Sequence, residues 1–499
     1  MKSVPIGLVM LTDERPHVHK ETEELNRKVL QRWAEIIRER AKCVDGSSYE
    51  VVVGSEIVHD VRSAQRVGEE LSRRNVKVLI LCFNVWNYPF LVWPLINSLG
   101  RDGIPILSLS NNEGKFPGNV GLLATDGALR QAGIRTHRII GDIDDEATIS
   151  KVIDWVRAAE AYATIQDEVY GCYGGHSMGM ETGFCHLTPT LKSLRLTVRQ
   201  VDQLLLVERM KEVPEGEVEA GLRWFEELLG DRIKYDGRML TPETLKCQIR
   251  LYLAVRSLNE EKGFDFCGIK GQRELSEHVC IPDVAEMLLN DPYDWHGPKE
   301  PTVCATEADF YAAVTMQLMK YVSGGLPTIF MDVRLYHPDL DVWDFCNSGN
   351  HPSYFARRSF DPKENFERVT FHPALEFYFK AGGASVEFDA APGPMTFARL
   401  GLWDEKPYMV IVRGEVLDLP EDVRRRINEE TNPTWPHVHA RLECSFDEFI
   451  AVFPCNHILG VEGDRVRPLT WLCEMAGITP VVWGKAAEER VVPIWERVR

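Results

Sequence analysis

The sequence predicts an α/β protein made of two doubly wound α/β domains followed by a β-rich, barrel-like C-terminal domain. Three observations carry this expectation. From the start of the chain, short apolar runs rich in β-branched residues alternate with stretches of helical periodicity, the pattern of parallel strands joined by crossover helices. A second alternating segment opens at the Gly-rich stretch beginning with Gly171. Beyond residue 353 the helical periodicity gives way to strand-like runs between Gly and Pro turns. For 499 residues, at roughly 100 to 200 residues per domain, the boundaries fall at 1–165, 166–352 and 353–499.

In the first domain the runs Ile6 to Leu11, Val51 to Val53, Val76 to Phe83 and Ile104 to Leu109 read as strands. Between the first two, Leu25, Val29, Trp33, Ile36 and Ile37 recur at three- and four-residue spacing and place an apolar stripe on a helix. In the second domain, Thr241 followed by Pro242 marks a helix start, with cap and first position in order, and Leu245, Ile249, Tyr252 and Val255 form its apolar face. Phe266 to Gln272 reads as a buried strand turning through glycines, which presents the Gln272 amide at the strand's carboxyl edge. Thr306 reads as the N-cap of a helix carrying Ala312, Ala313, Met316, Leu318, Met319 and Val322, with Glu307 in its first turn. That helix should stop at Ser323 to Pro327, and Thr328 to Met331 reads as a buried strand ending at Asp332. In the third domain, Ser385 to Phe388 and Tyr408 to Val412 read as strands.

Composition narrows the class. Apolar residues at 44% and charged residues at 26% are the balance of an ordinary globular enzyme. A formal net charge of -18 argues against a nucleic-acid partner, which requires clustered Lys and Arg. The twelve cysteines contain no Cys-x-x-Cys pair, so a zinc knuckle or a dithiol redox motif is not indicated, and isolated thiols fit a reducing compartment. The opening residues lack a signal-peptide pattern and no run reaches the roughly 18 apolar residues of a membrane span. A cytoplasmic protein without a membrane partner is expected.

Several residues stand where chemistry is done. Ligands in open α/β sheets bind outside the carboxyl ends of strands, which gives Asp332 a functional reading, although an Asp after a strand also caps turns and a Glu in a first helical turn also serves the helix dipole. At the end of the run Val452 to Cys455, the pair Asn456-His457 offers an imidazole that is either a ligand or a satisfied core histidine.

Taken together these residues resemble the L-fucose isomerase family, of the L-fucose/D-arabinose isomerase type and related to the L-arabinose isomerases. The densest similarity lies in Glu307-Ala308-Asp309 with Thr315-Met316-Gln317, in Met331-Asp332-Val333-Arg334, and in Asn347-Ser348-Gly349-Asn350-His351-Pro352. Gly174 to Met180, Gly268 to Gln272 and Thr434-Trp435-Pro436-His437 are further segments. The resemblance implies a Mn²⁺ site on Glu307, Asp332 and His457, with Mg²⁺ or Co²⁺ as substitutes, and Glu307 and Asp332 as catalytic carboxylates. It implies sugar contacts from Gln272, Trp86, Trp435, Arg15 and Asn456. His351 falls where L-arabinose isomerases place another histidine ligand and is a second-tier candidate. Trp86 is similar to a tryptophan that family members donate to a neighbouring subunit, so a homo-oligomer, hexamer or trimer, is implied.

The chemistry suits those residues. Moving a carbonyl from C1 to C2 requires taking the C2 proton and returning it to C1 through an enediol, with the developing charge stabilised by a Lewis acid. Two carboxylates and an imidazole suit Mn²⁺ better than a thiolate-rich zinc site. Two alternatives come from other classes: a sugar-binding or sensory protein without catalysis, and another metal-assisted polyol enzyme such as an epimerase or dehydratase.

Overall fold

The computed structural model describes residues 3–112 and 115–497. They fall into two compact units: the residues up to Ile165 joined by a C-terminal stretch from Val491, and Gln166–Arg490.

The first unit is a five-stranded parallel sheet of β1 (Ile6–Leu11), β2 (Val51–Val53), β3 (Val78–Phe83), β4 (Ile106–Ser110) and β5 (His137–Ile140) in the order β2-β1-β3-β4-β5. Crossover helices α1 (Pro16–Arg40), α2 (Val61–Arg73), α3 (Val92–Leu99) and α4 (Gly118–Gln131) connect its strands, and α5 (Glu146–Ile165) follows β5. The buried stripe of α1 runs through Leu30, Trp33, Ile36 and Ile37, while Leu25 faces outward. Asp60 and Ser63 close a capping box at the start of α2. Because the winding reverses between β1 and β3, the crevice at their carboxyl ends is the switch point of this sheet.

The second unit opens with a four-stranded parallel sheet of β6 (Val169–Tyr173), β7 (Thr197–Val201), β8 (Phe266–Ile269) and β9 (Cys304–Thr306), ordered β9-β8-β6-β7. Helix α6 (Pro242–Lys262) begins at a Thr241/Thr244 capping box and ends at Gly263 in the left-handed conformation. Helix α7 (Asp283–Asn290) follows β8. Helix α8 (Phe310–Val322) is buried along its whole length, as its nearly all-round apolar sequence demands.

A closed antiparallel barrel completes this unit. Its six strands are β10 (Thr328–His337), β11 (Val342–Cys346), β12 (Gly393–Trp403), β13 (Lys406–Val416), β14 (His437–Leu442) and β15 (His457–Glu462). They pair around the ring in the order β12-β15-β10-β11-β14-β13 and back to β12. A further strand, β16 (Thr479–Val482), lies parallel against β13.

Several boundaries differ from the expectation. The barrel takes β10 and β11 from residues assigned to the second α/β domain, and the strand at Thr328 runs on to His337 instead of ending at Asp332. Both faces of its first half are buried, so its apolar run has the look of a parallel strand. The run around Ser385 forms Ala384–Glu387, paired with Thr370–Pro373 outside the barrel. The stretch from Val491 leaves the barrel and joins the first unit, where Trp495 meets the His137 ring edge-on at 5.8 Å.

One continuous core runs from Tyr173, Phe225, Tyr252 and Leu288 to Met331, Phe345, Phe397, Val412 and Ile458. The parallel layer and the barrel therefore share their buried apolar surface, which is why Gln166–Arg490 is one unit. Among the described residues no helix is long and apolar enough to cross a membrane.

Candidate functional site

The site begins at the turn after β9. Glu307 and Ala308 adopt left-handed conformations, φ 58° and 52°, at a cost of roughly 1–2 kcal/mol for each non-glycine residue. The surroundings hold them there. The Ala308 N–H donates to the Ile269 carbonyl at 2.9 Å, and the Tyr170 hydroxyl donates to the Ala308 carbonyl at 3.3 Å. Gly268 passes so close beneath that a Cβ there would stand 2.9 Å from the Ala308 Cα. Glu307 is thus in a strained turn, not in the helix, and Thr306 is the last residue of β9 instead of a cap. Asp309 caps α8, accepting the Ala312 N–H at 2.9 Å. The Thr306-x-x-Asp309 spacing offers two cap residues, and only the close approach of β8 to the turn selects the second.

Asp332 and His457 meet across the barrel. They are directly opposed in the ladder of β10 and β15, Asp332 is also opposed to Cys346 on β11, and Cys346 to His437 on β14. Opposed residues project to one face, so these four form a row across four strands. Alternation sends their neighbours Met331, Phe345, Val438 and Ile458 to the other face, where they join the core. His457 opens its strand; of the run Val452 to Cys455 before it, Val452 ends the helix Phe446–Val452 and the rest links that helix to the strand.

Nε2 of His457 lies 3.3 Å from Oε2 of Glu307 and 3.3 Å from Oδ1 of Asp332. Neither contact has hydrogen-bond geometry: His457 Nε2 and Glu307 Oε2 are both buried without a hydrogen-bond partner among the described residues. The other ring nitrogen, Nδ1, donates to Asp309 Oδ2 at 2.7 Å. Burial works against charge on the His457 ring, but the Asp309, Asp332 and Glu307 carboxylates outweigh it and hold its pKa well above the ordinary value. The pocket therefore calls for positive charge at Nε2. Ligand atoms about 2.1 Å from an octahedral cation stand about 3 Å apart, close to the separations here, and the donor set of two carboxylates and an imidazole fits a Mn²⁺-like ion.

Glu307 and Asp332 border a cleft of about 200 Å³ that also has Gln272, Arg334, Ser348 and Trp435 in its walls. Gln272 follows β8 and Glu307 follows the adjacent parallel strand β9, so both stand at one carboxyl edge. The Arg334 guanidinium lies 3.6 Å from Asp332 Oδ2 and 4.8 Å over the Trp435 ring. The Trp435 ring lines the cleft, and its indole N–H is buried without a partner among the described residues.

Arg15 and Trp86 belong to the first unit, at the carboxyl ends of β1 and β3: Arg15 pairs with Asp13 at 2.6 Å, and half-buried Trp86 meets Tyr88 edge-on. Beneath them, Asn26 donates to Thr12 and Asn84 donates to Asn26, each at 3.2 Å, in a buried polar network. Asn456 is exposed, is not among the cleft walls, and gives its backbone carbonyl to the Val333 N–H at 2.8 Å. His351 is fully buried, neither ring nitrogen hydrogen-bonds among the described residues, and burial and nearby His437 push its pKa down to about 3.

A second cluster, Asp344, Cys346 and His437, brings three ligand-type atoms within 4.8 Å of one another. His437 spends both nitrogens there, Nδ1 on Asp344 and Nε2 on the Asn432 carbonyl, each at 2.8 Å. An imidazole donating from both nitrogens keeps no lone pair for a cation, so this cluster is satisfied as an ion pair.

Three buried groups near the site escaped the sequence reading. Arg399 on β12 binds Asp309 through both terminal nitrogens, at 2.8 and 3.1 Å. Asp283, at the start of α7, is in the cleft wall, and burial and Glu286 raise its pKa well above the carboxylate range. Glu286, one turn along, is pushed up to about 8 by burial. An acid read as N-terminal to a helix looks like a dipole partner, and nothing local reveals that it is buried.

Models of L-fucose isomerase domains match the chain in order: the first N-terminal domain at residues 3–167, the second N-terminal domain at 253–324 and the C-terminal domain at 345–483. The chain is 25% identical to an L-fucose isomerase of Haemophilus influenzae over 559 aligned positions, covering 98% of this chain and 94% of that protein. It is 26% identical to L-fucose isomerases of Vibrio vulnificus (87% and 84% covered) and of Streptococcus pneumoniae (85% and 82%).

Proposed function

The chain belongs to the L-fucose isomerase family and is an aldose–ketose isomerase, and from that premise we propose that it works on a free sugar of the L-fucose or D-arabinose type with a divalent cation, Mn²⁺ by preference and Mg²⁺ or Co²⁺ in its place, held by Glu307, Asp332 and His457. The observation that carries the cation is the buried His457 Nε2, without a hydrogen bond and 3.3 Å from a carboxylate oxygen on each side.

A cation bound there supplies Lewis-acid polarisation of the sugar's carbonyl and hydroxyl oxygens. The protein's own groups do the rest. Glu307 and Asp332 reach the reacting carbons from different elements, so one takes the C2 proton and returns it to C1 through an enediol while the other moves the hydroxyl proton. Gln272 and the Trp435 side chain orient the sugar from the cleft wall. Arg334 steadies both Asp332 and the Trp435 ring.

The protein acts in this reading as a homo-oligomer, trimer or hexamer, in which Trp86 of one copy serves the site of another and Arg15 contributes to sugar binding. Their position at the β1/β3 switch point, where parallel sheets take ligands, supports this role. A cytoplasmic location accords with twelve free cysteines. The test is incubation of Mn²⁺-loaded protein with L-fucose, D-arabinose, L-arabinose and D-galactose, assayed for ketose. Ketose from one of the first two is expected; binding of a sugar without turnover, or an epimer as product, would overturn the proposal.

A further inference from the structure

We propose that Asp309, clamped by Arg399, is the positioning residue that fixes the tautomer and aim of the His457 ring toward the cation site. This rests on the reading of Glu307, Asp332 and His457 as cation ligands.

Asp309 does more than a helix cap requires. Capping α8 uses one oxygen and one N–H, Ala312 to Oδ1 at 2.9 Å. Asp309 takes three further bonds: Arg399 Nη2 on Oδ1 at 3.1 Å, Arg399 Nη1 on Oδ2 at 2.8 Å, and His457 Nδ1 on Oδ2 at 2.7 Å. All three side chains are 1% exposed. Capping is ordinarily done at the surface and needs no buried arginine, and a buried ion pair is a poor route to stability because desolvation offsets its attraction. The arrangement is explained by what it does to the ring. A carboxylate on Nδ1 requires the proton there, which leaves the lone pair on Nε2, the nitrogen between Glu307 and Asp332.

Arg399 completes the device. Its Nη2 also donates to the Thr182 carbonyl at 3.0 Å, so the guanidinium is anchored independently of Asp309. Its two bonds hold both carboxylate oxygens and fix the orientation of the Asp309 carboxylate beneath the ring. The three residues come from the start of α8, from β12 and from β15. The clamp thus ties the barrel to the turn that carries Glu307, two residues before Asp309.

The test is Mn²⁺ affinity by calorimetry, with circular dichroism as the measure of folding, on Asp309→Asn and on the double variant Asp309→Asn/Arg399→Met. An Asn can present its NH₂ to Nδ1 and so favour the tautomer with hydrogen on Nε2, which cannot bind a cation. Asp309→Asn also leaves Arg399 without its counter-charge, so unfolding of the single variant is separated by the double variant, which removes both charges. Both variants should bind Mn²⁺ roughly 10- to 100-fold more weakly, and excess Mn²⁺ should restore much of kcat in the folded double variant. Wild-type affinity in the folded double variant would overturn the positioning role while leaving the ligand assignment intact. A wild-type protein that binds no Mn²⁺ would instead overturn the ligand assignment itself.

Discussion

Asp332 and His457 stand directly opposite each other in an antiparallel ladder, with Asp332 Oδ1 3.3 Å from His457 Nε2. Ladder register therefore fixes their spacing more firmly than a loop could. Glu307 completes the set from a turn that β8 and Tyr170 hold in a left-handed conformation. Rigid seating of each carboxylate is what proton transfer at adjacent carbons requires.

Removal of divalent cations by a chelator should abolish ketose formation, and Mn²⁺ should restore it. His457→Gln should bind Mn²⁺ at least about 10-fold more weakly, since the ring nitrogen is lost from the set. The check is elemental analysis beside a ketose assay; full turnover by cation-free protein would refute the role given to the three ligands.

Glu307→Gln and Asp332→Asn should each lower kcat by about 10²-fold or more, the scale of a lost general acid-base group. Both must be compared at equal Mn²⁺ content. A fully loaded variant with near-wild-type kcat would remove that residue from proton transfer.

Reaction in D₂O should place deuterium on C1 of the ketose, because the proposed enediol path carries the hydrogen as a proton on a carboxylate. NMR of the product reads this directly. Complete retention of the C2 hydrogen at C1 would point to a hydride shift and away from the enediol.

Trp86→Ala and Asp332→Asn should each be nearly inactive alone, yet regain activity when unfolded together and refolded as mixed oligomers. Only a site built from two copies can combine an intact Trp86 with an intact Asp332. Absence of any gain, with mixed oligomers verified by native mass spectrometry, would return Trp86 to a role within its own chain.

Stability should fall as pH rises from about 5 to 8, in part because of Glu286, whose folded pKa is raised to about 8 by burial. The sign follows from linkage: in that window the folded state holds the proton more tightly than the unfolded state, so its stabilising contribution, complete below the unfolded value near 4.5, is lost as pH climbs through 8. Glu286→Gln should accordingly raise Tm at pH 8.5 and change it little at pH 5. A Tm difference independent of pH would show that Glu286 is not the group responsible.

Much of the architecture is legible in the residues. The period of the apolar runs marks β1, β2, α1 and α6, and Thr241-Pro242 marks its helix start to the residue, because caps and strand alternation are local effects. The barrel begins earlier than the residue pattern suggests. The strand β10 is buried on both faces in its first half, and pairing direction leaves no trace in such a run. Residue types likewise mark Glu307, Asp332, His457, Gln272 and Trp435 as candidates, yet they do not reveal that Asn456 turns away while Trp435 lines the cleft.

By itself the sequence determined the alternating α/β plan, the β-rich end and the family, since each is written in local periodicity or in ordered motifs. Tertiary structure alone decided that Asp309 serves the His457 ring instead of merely capping a helix, that Arg399 is buried against it, and that His437 is spent on Asp344. The reason is physical: which nitrogen of an imidazole is free depends on what the other one meets, and those partners come from strands and turns as far as 148 residues apart. Burial, which moves Asp283 and Glu286 far from ordinary carboxylates, is likewise a property of the packed core and not of any neighbouring residue in the chain.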